Sequence, residues 1–259
     1  MENYTILVCT CDRNEDVWPY FFYFLKKYFP NLNEPIYLNT EEKMYKDKDL
    51  NIISLQKHKA GDPQGWSKRL RDYLNSITTD YVIILLEDFF LNDYVRVDEL
   101  KKCMLRMDKD KDIANFIFDS GRHKCYESEY PEYLIQARNA PFRLCLQAGI
   151  WRKKVLLKYL RDHENPWQFE VWGSKRARRW KEKSFVLKEN EKKVFSYPSG
   201  GALADNRWRG DEICNWMKEN GFDLDFSKRG IYYPGDVRKT EIVHRNIFQK
   251  IWQVIKSLI

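Results

Sequence analysis

The stretch Tyr81-Val-Ile-Ile-Leu-Leu-Glu-Asp-Phe-Phe-Leu91 decides the fold of this chain. Its first six residues are apolar and are bounded by polar ones, which is typical of a strand buried at the centre of a sheet. Two carboxylates, Glu87 and Asp88, follow directly. Carboxylates at the end of a buried strand are costly unless something positive uses them, because the surroundings have a low dielectric constant. The stretch therefore predicts a central strand that ends at a ligand site.

Strand and helix patterns alternate around this stretch. Apolar runs typical of strands lie at 4–12, 35–38, 51–55, 113–118 and 144–151, and helical spacing of apolar residues lies at 17–28, 66–76 and 97–107. Such alternation predicts an α/β fold with a Rossmann-like, mostly parallel central sheet flanked by helices. Ligands of these sheets bind beyond the carboxyl ends of the strands. Residues 126–139, rich in Tyr, Pro and charge, are interpreted as a loop near the substrate.

Length and composition favour one ordinary folded domain. The chain has 259 residues, of which 43% are hydrophobic and 32% charged, so it can bury a core and is not a disordered composition. We find no internal repeat or linker, and assign residues 1–246 to one domain and residues 247–259 to an amphipathic C-terminal helix. The six scattered cysteines are expected to be free thiols. We see neither a signal peptide nor an apolar run near the roughly 20 residues of a membrane span, and expect a cytoplasmic protein.

The net charge of +7 is concentrated between Arg152 and Lys193. A solvated helical face is the ordinary explanation of such a run, and a surface that meets anionic lipid or substrate phosphates is the alternative. None of the common nucleic-acid-binding motifs is present there, so we expect no nucleic-acid partner. The sequence does not indicate an oligomeric state.

Residues 247–259 place apolar side chains at helical spacing, with Lys250 and Lys256 on the polar side. Docking on the body of the protein, a dimer contact and attachment to a lipid surface all fit this pattern. The last would hold the protein at the inner face of the cell membrane, and the basic segment supports it.

At residues 81–91 the sequence resembles the GT-A glycosyltransferases. In that family the central strand ends in a short acidic motif that holds the sugar nucleotide, usually through Mn²⁺ or Mg²⁺. The resemblance implies that Glu87 and Asp88 bind the donor, with Asp88 as a metal ligand. Phe89 stands where the usual DxD motif has its second Asp, so dependence on a divalent cation is an open question. Many GT-A enzymes supply a late histidine as a further ligand, which makes His244 a candidate, although a lone histidine in an apolar stretch is more often structural.

The resemblance also implies where the nucleotide lies. In the family the first strand ends at the nucleotide, so Thr10, Asp12 and Arg13 become candidates for base, ribose and phosphate. The helix before the acidic motif also touches the donor, and Lys68 and Arg69 are its candidates, with surface charges as the equal alternative. A loop with two glycines, residues 198–202, could close over the donor phosphates, but it lacks the ending of a P-loop.

An inverting transferase needs a general base for the acceptor hydroxyl, and a carboxylate is the usual choice. Asn165, Pro166 and Gln168 predict the start of a helix, with a capping box between the first and the last of them. Glu170 lies one turn after Pro166. GT-A enzymes similar to this one carry an acidic base at the start of such a helix. We prefer it to Glu164, which is explained as an anion near the helix dipole.

Two residues are candidates for acceptor binding. Trp167 offers an aromatic face on which a sugar could stack. Gln147, in the small-residue stretch Gln147-Ala-Gly149, could hydrogen-bond sugar hydroxyls, although a glycine in a strand is as often a bulge.

These observations favour one function and leave two others open. The favoured one is transfer of a sugar from a nucleoside diphosphate sugar, UDP-linked by expectation, to a glycan or lipid-linked glycan acceptor in bacterial surface polysaccharide synthesis, with inversion. A nucleotidyltransferase also places acidic residues at strand ends, but it would be expected to show a Gly-rich loop after its first strand. A basic module that binds membranes or nucleic acid would leave the acidic pair and the capped helix unexplained.

Overall fold

A computed structural model of the protein describes residues 4–61, 65–120, 124–198, 200–236 and 247–258. Its strands are β1 (Tyr4–Cys9), β2 (Ile36–Asn39), β3 (Ile52–Ile53), β4 (Tyr81–Leu86), β5 (Ile113–Ile117), β6 (Cys125–Glu127), β7 (Tyr133–Gln136), β8 (Gly149–Arg152), β9 (Lys183–Leu187), β10 (Leu203–Ala204), β11 (Arg207–Arg209) and β12 (Ile231–Tyr232). Its helices are α1 (Trp18–Tyr28), α2 (Gly65–Ser76), α3 (Val97–Lys109), α4 (Lys153–Tyr159), α5 (Pro166–Gln168), α6 (Ser174–Ala177), α7 (Asp211–Glu219) and α8 (Ile247–Leu258). A 3₁₀ helix, Asp12–Asn14, follows β1, and a π-helical segment, Phe169–Gly173, joins α5 to α6.

The central sheet has the strand order β3-β2-β1-β4-β8-β5-β9-β7-β6. The predicted α/β class is confirmed, and β4 spans the six predicted residues. Strands β3, β2, β1 and β4 are parallel to one another, whereas β8 is antiparallel to both of its neighbours. The sheet is therefore mixed, and the residues just before β8 arrive at the same edge as the residues just after β4.

Alternate residues of β4 face two different cores, because side chains of a strand point to opposite faces of the sheet. Ile83 and Leu85 belong to the core that includes side chains of α1 and α3. Val82 and Ile84 belong to the core that includes side chains of α2 and α4. Both faces of β4 are thus covered, which explains its unbroken apolar sequence.

The interpretation of residues 126–139 as a substrate loop was wrong. Residues in this range form most of an antiparallel hairpin, β6 and β7, at the edge of the sheet opposite to β3. Tyr133 is buried there and packs edge-on against Phe116, with 4.8 Å between the ring centroids. The tyrosines that suggested a ligand-binding loop are used in part to anchor this edge.

A second, three-stranded sheet was not predicted. It has the order β10-β11-β12, and its strands are two or three residues long. Strands this short carry almost no periodic pattern in the sequence. The connection between β10 and β11 carries Asp205 and Asn206, both at positive φ, and approaches the carboxyl end of β1.

The basic residues between 152 and 193 do not form one solvated face. Arg152 is buried, and its guanidinium donates to the carbonyl oxygens of Ile113 and Met107. Arg176 is also buried, in an ion pair with Glu164. Some of these cations therefore hold the fold together, and others remain on the surface.

The predicted C-terminal helix forms as α8. Its Ser257 hydroxyl lies 2.9 Å from the ring Nε2 of His163, and its Ser257 carbonyl accepts a hydrogen bond from Arg176. Docking on the body of the protein is thus observed at this end of the helix. The predicted domain boundary at residue 246 lies outside the described residues and stays a prediction. In the parts of the chain that the structure describes, every helix is too short or too polar to cross a membrane.

Candidate functional site

A cavity of about 410 Å³ lies beyond the carboxyl ends of β1 and β4. Strand β2 lies on one side of β1 and β4 on the other, so the cavity is at the switch point where α/β sheets bind ligands. Its volume is within the range of small-molecule sites. The cavity brings together eight of the predicted site residues, which are Thr10, Arg13, Arg69, Glu87, Asp88, Gln147, Trp167 and Glu170.

The acidic pair forms the floor of the cavity at the end of β4. Glu87 is buried and accepts a hydrogen bond from the side-chain amide of Asn14. The Oδ2 atom of Asp88 accepts from the backbone N–H of Leu203 at 3.3 Å, and its carbonyl oxygen accepts from Ala202 at 2.8 Å. Residues 202 and 203 therefore cover Asp88. They lie at the end of the loop with two glycines, residues 198–202, that was expected near the donor phosphates.

Phe89 points away from the cavity and into the core. Its ring stacks on Tyr197, with 4.1 Å between the centroids and 7° between the ring planes. The side chain that replaces the second Asp of a DxD motif is therefore a packing residue, and a carboxylate at this position would have no access to the ligand.

Burial raises the pKa of both carboxyl groups at the strand end. For Asp88 the second cause is the charge of Glu87, and together they raise its pKa to about 7, although the nearby Arg209 acts in the opposite direction. Burial also raises the pKa of Glu87, against hydrogen bonds from Asn14 and Thr10. Two adjacent carboxylates with too little compensating charge favour either a shared proton or a bound cation.

The acidic pair fits a divalent cation that is shared with phosphate oxygens. Mg²⁺ is commonly held by one or two carboxylates together with substrate phosphates, so a cage made of protein ligands is not needed. The described residues contain no group of three or more His, Cys, Asp or Glu side chains that could hold a metal. The other predicted ligand, His244, lies outside the described residues.

The end of β1 supplies two of its three predicted residues to the cavity. The Thr10 hydroxyl accepts from the indole N–H of Trp18 at 2.8 Å, and the Arg13 guanidinium donates to Asn206 Oδ1 at 2.9 Å. Asp12 instead turns away from the cavity. Its carboxylate accepts from the backbone N–H groups of residues 41, 42 and 43, at 2.8, 2.8 and 3.0 Å. Burial raises the pKa of Asp12, but these backbone donors outweigh it and the net shift is downward. Asp12 thus anchors the chain after β2.

Of the two basic candidates on α2, Arg69 lines the cavity and Lys68 does not. Arg69 lines the cavity, and its guanidinium is fixed by Asn39 Oδ1 at 2.9 Å, by the Thr10 carbonyl at 3.1 Å and by an ion pair with Glu41. It ties α2 to the end of β1. Lys68 is exposed and is not among the residues that line the cavity, because the next position along a helix points to a different side.

Glu170 faces the cavity from the opposite wall. The predicted capping box is present, since Asn165 Oδ1 accepts from the Gln168 N–H at 2.9 Å and Gln168 Oε1 accepts from the Asn165 N–H at 3.0 Å. Glu170 lies in the π-helical segment that follows, and its Oε1 accepts from the Leu146 N–H at 2.9 Å. Single π-helical turns are frequent at functional sites. Glu164 is fully buried in its ion pair with Arg176 and does not line the cavity.

Aromatic and amide groups complete the wall near Glu170. Trp167 is at the rim of the cavity and remains 73% exposed, so one face of its indole is available. Gln147 Oε1 accepts from the Tyr197 hydroxyl at 3.2 Å, which orients its amide. Gly149, which ends the same small-residue stretch, is needed inside the sheet, because a Cβ there would lie 2.9 Å from the Phe116 carbonyl oxygen.

Nine lining residues were not predicted as site residues, among them Asn14, Trp66, Leu203 and Asn206. Asn14 could have been found, because it follows β1 in the same turn as Arg13. Trp66 begins the helix that carries Arg69 and was counted only as part of its span. Leu203 and Asn206 had no usable signal, since the small sheet brings them to the cavity from far along the chain.

Comparisons with known proteins give structural likeness only. No protein-family model matches the chain, and no curated protein matches its sequence. Among solved structures, it is similar to S. aureus TarS 1–349 in complex with UDP, with 14% identity over 73% of this chain and a TM-score of 0.48. It is also similar to a cytidylyltransferase from Leptospira borgpetersenii, with 13% identity, a TM-score of 0.43 and coverage of 75% of this chain and 78% of that one.

The chain spans 59% of that TarS structure. It is also similar to a longer TarS structure, with 13% identity over 73% of this chain and a TM-score of 0.45, and it spans 36% of that structure. Likeness this distant does not assign an activity.

Proposed function

We propose that this protein is a glycosyltransferase that uses a nucleoside diphosphate sugar, UDP-linked, as donor. Its acceptor is a glycan or a lipid-linked glycan in bacterial surface polysaccharide synthesis. The observation that carries the proposal is a single cavity at the switch point of the sheet with two carboxylates, Glu87 and Asp88, on its floor and a third, Glu170, on the facing wall. Sugar transfer needs this division, since one end must bind a diphosphate and the other must accept a proton.

The donor end is assigned to the strands. Asp88 and Glu87 would hold Mn²⁺ or Mg²⁺ together with the diphosphate, and the ion would supply positive charge to the leaving group. Arg13 offers a planar guanidinium to a phosphate, and Thr10 offers its hydroxyl to the nucleotide. Arg69 acts mainly through position, because its hydrogen bonds hold the end of β1 where these groups are needed.

The acceptor end is assigned to the capped helix. Glu170 takes the proton of the acceptor hydroxyl while the hydroxyl oxygen forms a bond to the anomeric carbon and the bond from that carbon to the diphosphate breaks. The Leu146 N–H orients the Glu170 carboxylate for this step. Trp167 stacks on the acceptor sugar and Gln147 binds its hydroxyls. Attack opposite to the leaving group inverts the anomeric centre.

A nucleotidyltransferase is the runner-up, because it too would use a sheet with an acidic strand end. The turn after β1, residues 11–16, contains no glycine. Its residues Asp12–Asn14 form a 3₁₀ helix, and the Asp12 carboxylate accepts from three backbone N–H groups. This turn does not offer the open backbone that a triphosphate would need. The acidic wall residue Glu170 would also have no role in that reaction.

The test is incubation with a panel of sugar nucleotides, and separately with nucleoside triphosphates plus sugar phosphates, each with Mn²⁺, with Mg²⁺ and with a chelator. We expect a rise in unfolding temperature and slow release of nucleoside diphosphate with one sugar nucleotide. Pyrophosphate release from a triphosphate would support the nucleotidyltransferase instead. No response to any sugar nucleotide would contradict the proposal.

A further inference from the structure

Helix α8 leaves two large apolar side chains exposed. Among its side chains that the structure describes, which are those of residues 252 and 254–258, the buried one is polar Ser257, whereas Trp252 and Ile255 are 59% and 42% exposed. Large apolar side chains left exposed beside basic ones are typical of a helix that meets a further partner. The described contacts of α8 with the body include those of Ser257 with His163 and Arg176.

The exposed side of α8 combines apolar and basic groups. Trp252, Ile255 and Lys256 are spaced by three and four residues and so lie on one face. The Lys256 ammonium lies 5.5 Å from the centroid of the Trp252 ring. The sequence of α8 contains two lysines and no acidic residue. We call this exposed face, made of Trp252, Ile255 and Lys256, the α8 face.

The helix next to α8 exposes the same mixture. α8 packs beside the π-helical segment and α6. Val171 and Lys175 are exposed there, one turn apart, and the Lys175 ammonium lies 4.1 Å from the centroid of the Trp172 ring. Within the described part of the chain, Lys175, Arg178 and Arg179 make no ion pair, although all three are exposed. Their charge is available to an anionic partner.

We propose that the α8 face and the adjoining basic residues bind the surface of an anionic lipid bilayer. Exposed aromatic and aliphatic side chains enter the boundary between headgroups and acyl chains, and lysine and arginine beside them attract anionic headgroups. A second copy of this chain is less well matched, because two identical basic faces would repel each other. This membrane contact goes beyond the proposed sugar transfer and does not require it.

The contact would set how the cavity faces the membrane. Trp167 at the cavity rim is four residues before Val171 in the same helical stretch, and α8 packs beside that stretch. A membrane at the α8 face therefore lies beside the opening of the cavity. A lipid-linked acceptor could then reach Glu170 while it stays in the bilayer, and this last step rests on the proposed function.

Flotation of the full chain with lipid vesicles tests the proposal. We expect the protein to float with vesicles that contain phosphatidylglycerol and phosphatidylcholine, and to remain below with pure phosphatidylcholine. The double variant Trp252→Ser/Ile255→Ser is expected to lose about tenfold or more of its vesicle binding, because two apolar side chains no longer leave water. High salt is expected to weaken the binding of the unmodified protein.

Tyr126→Ser is the matched control, because Tyr126 is a 64% exposed aromatic on the far hairpin, and it should float like the unmodified protein. All the changed side chains are exposed, so unfolding temperatures should agree. Absence of flotation with anionic vesicles, or equal flotation of the double variant, overturns the proposal. So does a concentration-dependent dimer that the double variant abolishes without any vesicle binding. Donor hydrolysis is measured on the same samples without lipid, so a failure of flotation is separable from a failure of the proposed transferase activity.

Discussion

Gly201 lies directly against Asp88, so closely that a Cβ atom at position 201 would be 2.3 Å from Asp88 Oδ2. The glycine also has a φ of +77°, which side chains other than hydrogen rarely adopt. Both facts show that the loop around Gly201 packs tightly against the Asp88 carboxylate, which we assign to donor binding. The loop is therefore part of the site's geometry.

Gly201→Ala should weaken donor binding about tenfold, because the methyl group must displace Asp88 or the loop. Gly221→Ala is the matched control, since Gly221 has a φ of +83° and nothing within 4 Å of its Cβ position. Both variants should lose about 1 kcal/mol of unfolding free energy through backbone strain. Calorimetric titration with the donor, together with urea unfolding, separates the two effects. Equal donor affinity in the two variants would show that the loop does not position Asp88.

Phe89→Asp should not create a metal ligand, although it introduces a carboxylate two residues after Glu87. The stacked contact with Tyr197 would be lost and a charge would be placed in the core, so unfolding free energy should fall by about 3 to 5 kcal/mol or more. Phe89→Leu should cost less, because it stays apolar. Urea unfolding and Mn²⁺ titration measure both properties. A stable Phe89→Asp protein with raised Mn²⁺ affinity would contradict the described orientation of this side chain.

The free energy of unfolding should fall as pH rises from about 4 to about 7. Burial, and then the charge of Glu87, raise the pKa of Asp88 from its ordinary 3.8 to about 7. In that window the folded protein binds more protons than the unfolded chain, so its stability declines with pH and levels off above about 7. Asp88→Asn should reduce this slope and be at least as stable as the unmodified protein near pH 8. Urea unfolding at several pH values, without divalent cations, measures the slope, and an unchanged slope in Asp88→Asn would contradict the assignment.

Glu170→Gln should lower the rate of transfer by about 10²- to 10⁴-fold, because an amide cannot take the acceptor proton. Donor affinity should remain, since the Gln amide oxygen can still accept from the Leu146 N–H. Asp162→Asn serves as control. Asp162 is an exposed acid near the same helix, and it forms an ion pair with Arg71. Initial rates with the donor found in the sugar-nucleotide panel provide the measurement. A Glu170→Gln protein that transfers at the normal rate would remove this residue from the mechanism.

Asp12→Asn should destabilise the fold by about 1 to 3 kcal/mol near neutral pH, because a charged acceptor of three backbone N–H groups is lost. The pKa of Asp12 is lowered, so its stabilisation is present above its ordinary value of 3.8 and is lost as pH falls through the lowered value. Asp223→Asn, at an exposed position, should leave stability unchanged. Urea unfolding at neutral and acidic pH measures this. Unchanged stability of Asp12→Asn with a loss of donor affinity would instead restore Asp12 as a ligand of the nucleotide.

Sequence reasoning succeeded where a pattern is set by near neighbours in the chain. The apolar run of β4 and the capping box at Asn165 are of this kind, and both form as predicted. It failed for residues 126–139, because a mixture of Tyr, Pro and charge does not distinguish a ligand loop from a hairpin at the edge of a sheet. It also missed the small sheet, whose strands are held by partners rather than by their own periodicity.

By itself, the sequence determined the central strand, the carboxylates at its end and the helix start before Glu170, since strand period and capping act over a few residues. The tertiary structure decided which carboxylates face the cavity. Asp12 follows β1 as Asp88 follows β4, yet Asp12 is bound by backbone donors near residue 42, whereas Asp88 meets the backbone of Leu203 and the cavity. Glu164 and Glu170 differ in the same way. Glu164 is buried in an ion pair with Arg176, whereas Glu170 accepts from the Leu146 N–H at the wall of the cavity. The physical reason is that the surroundings of a carboxylate depend on segments that the order of strands brings together from distant parts of the chain.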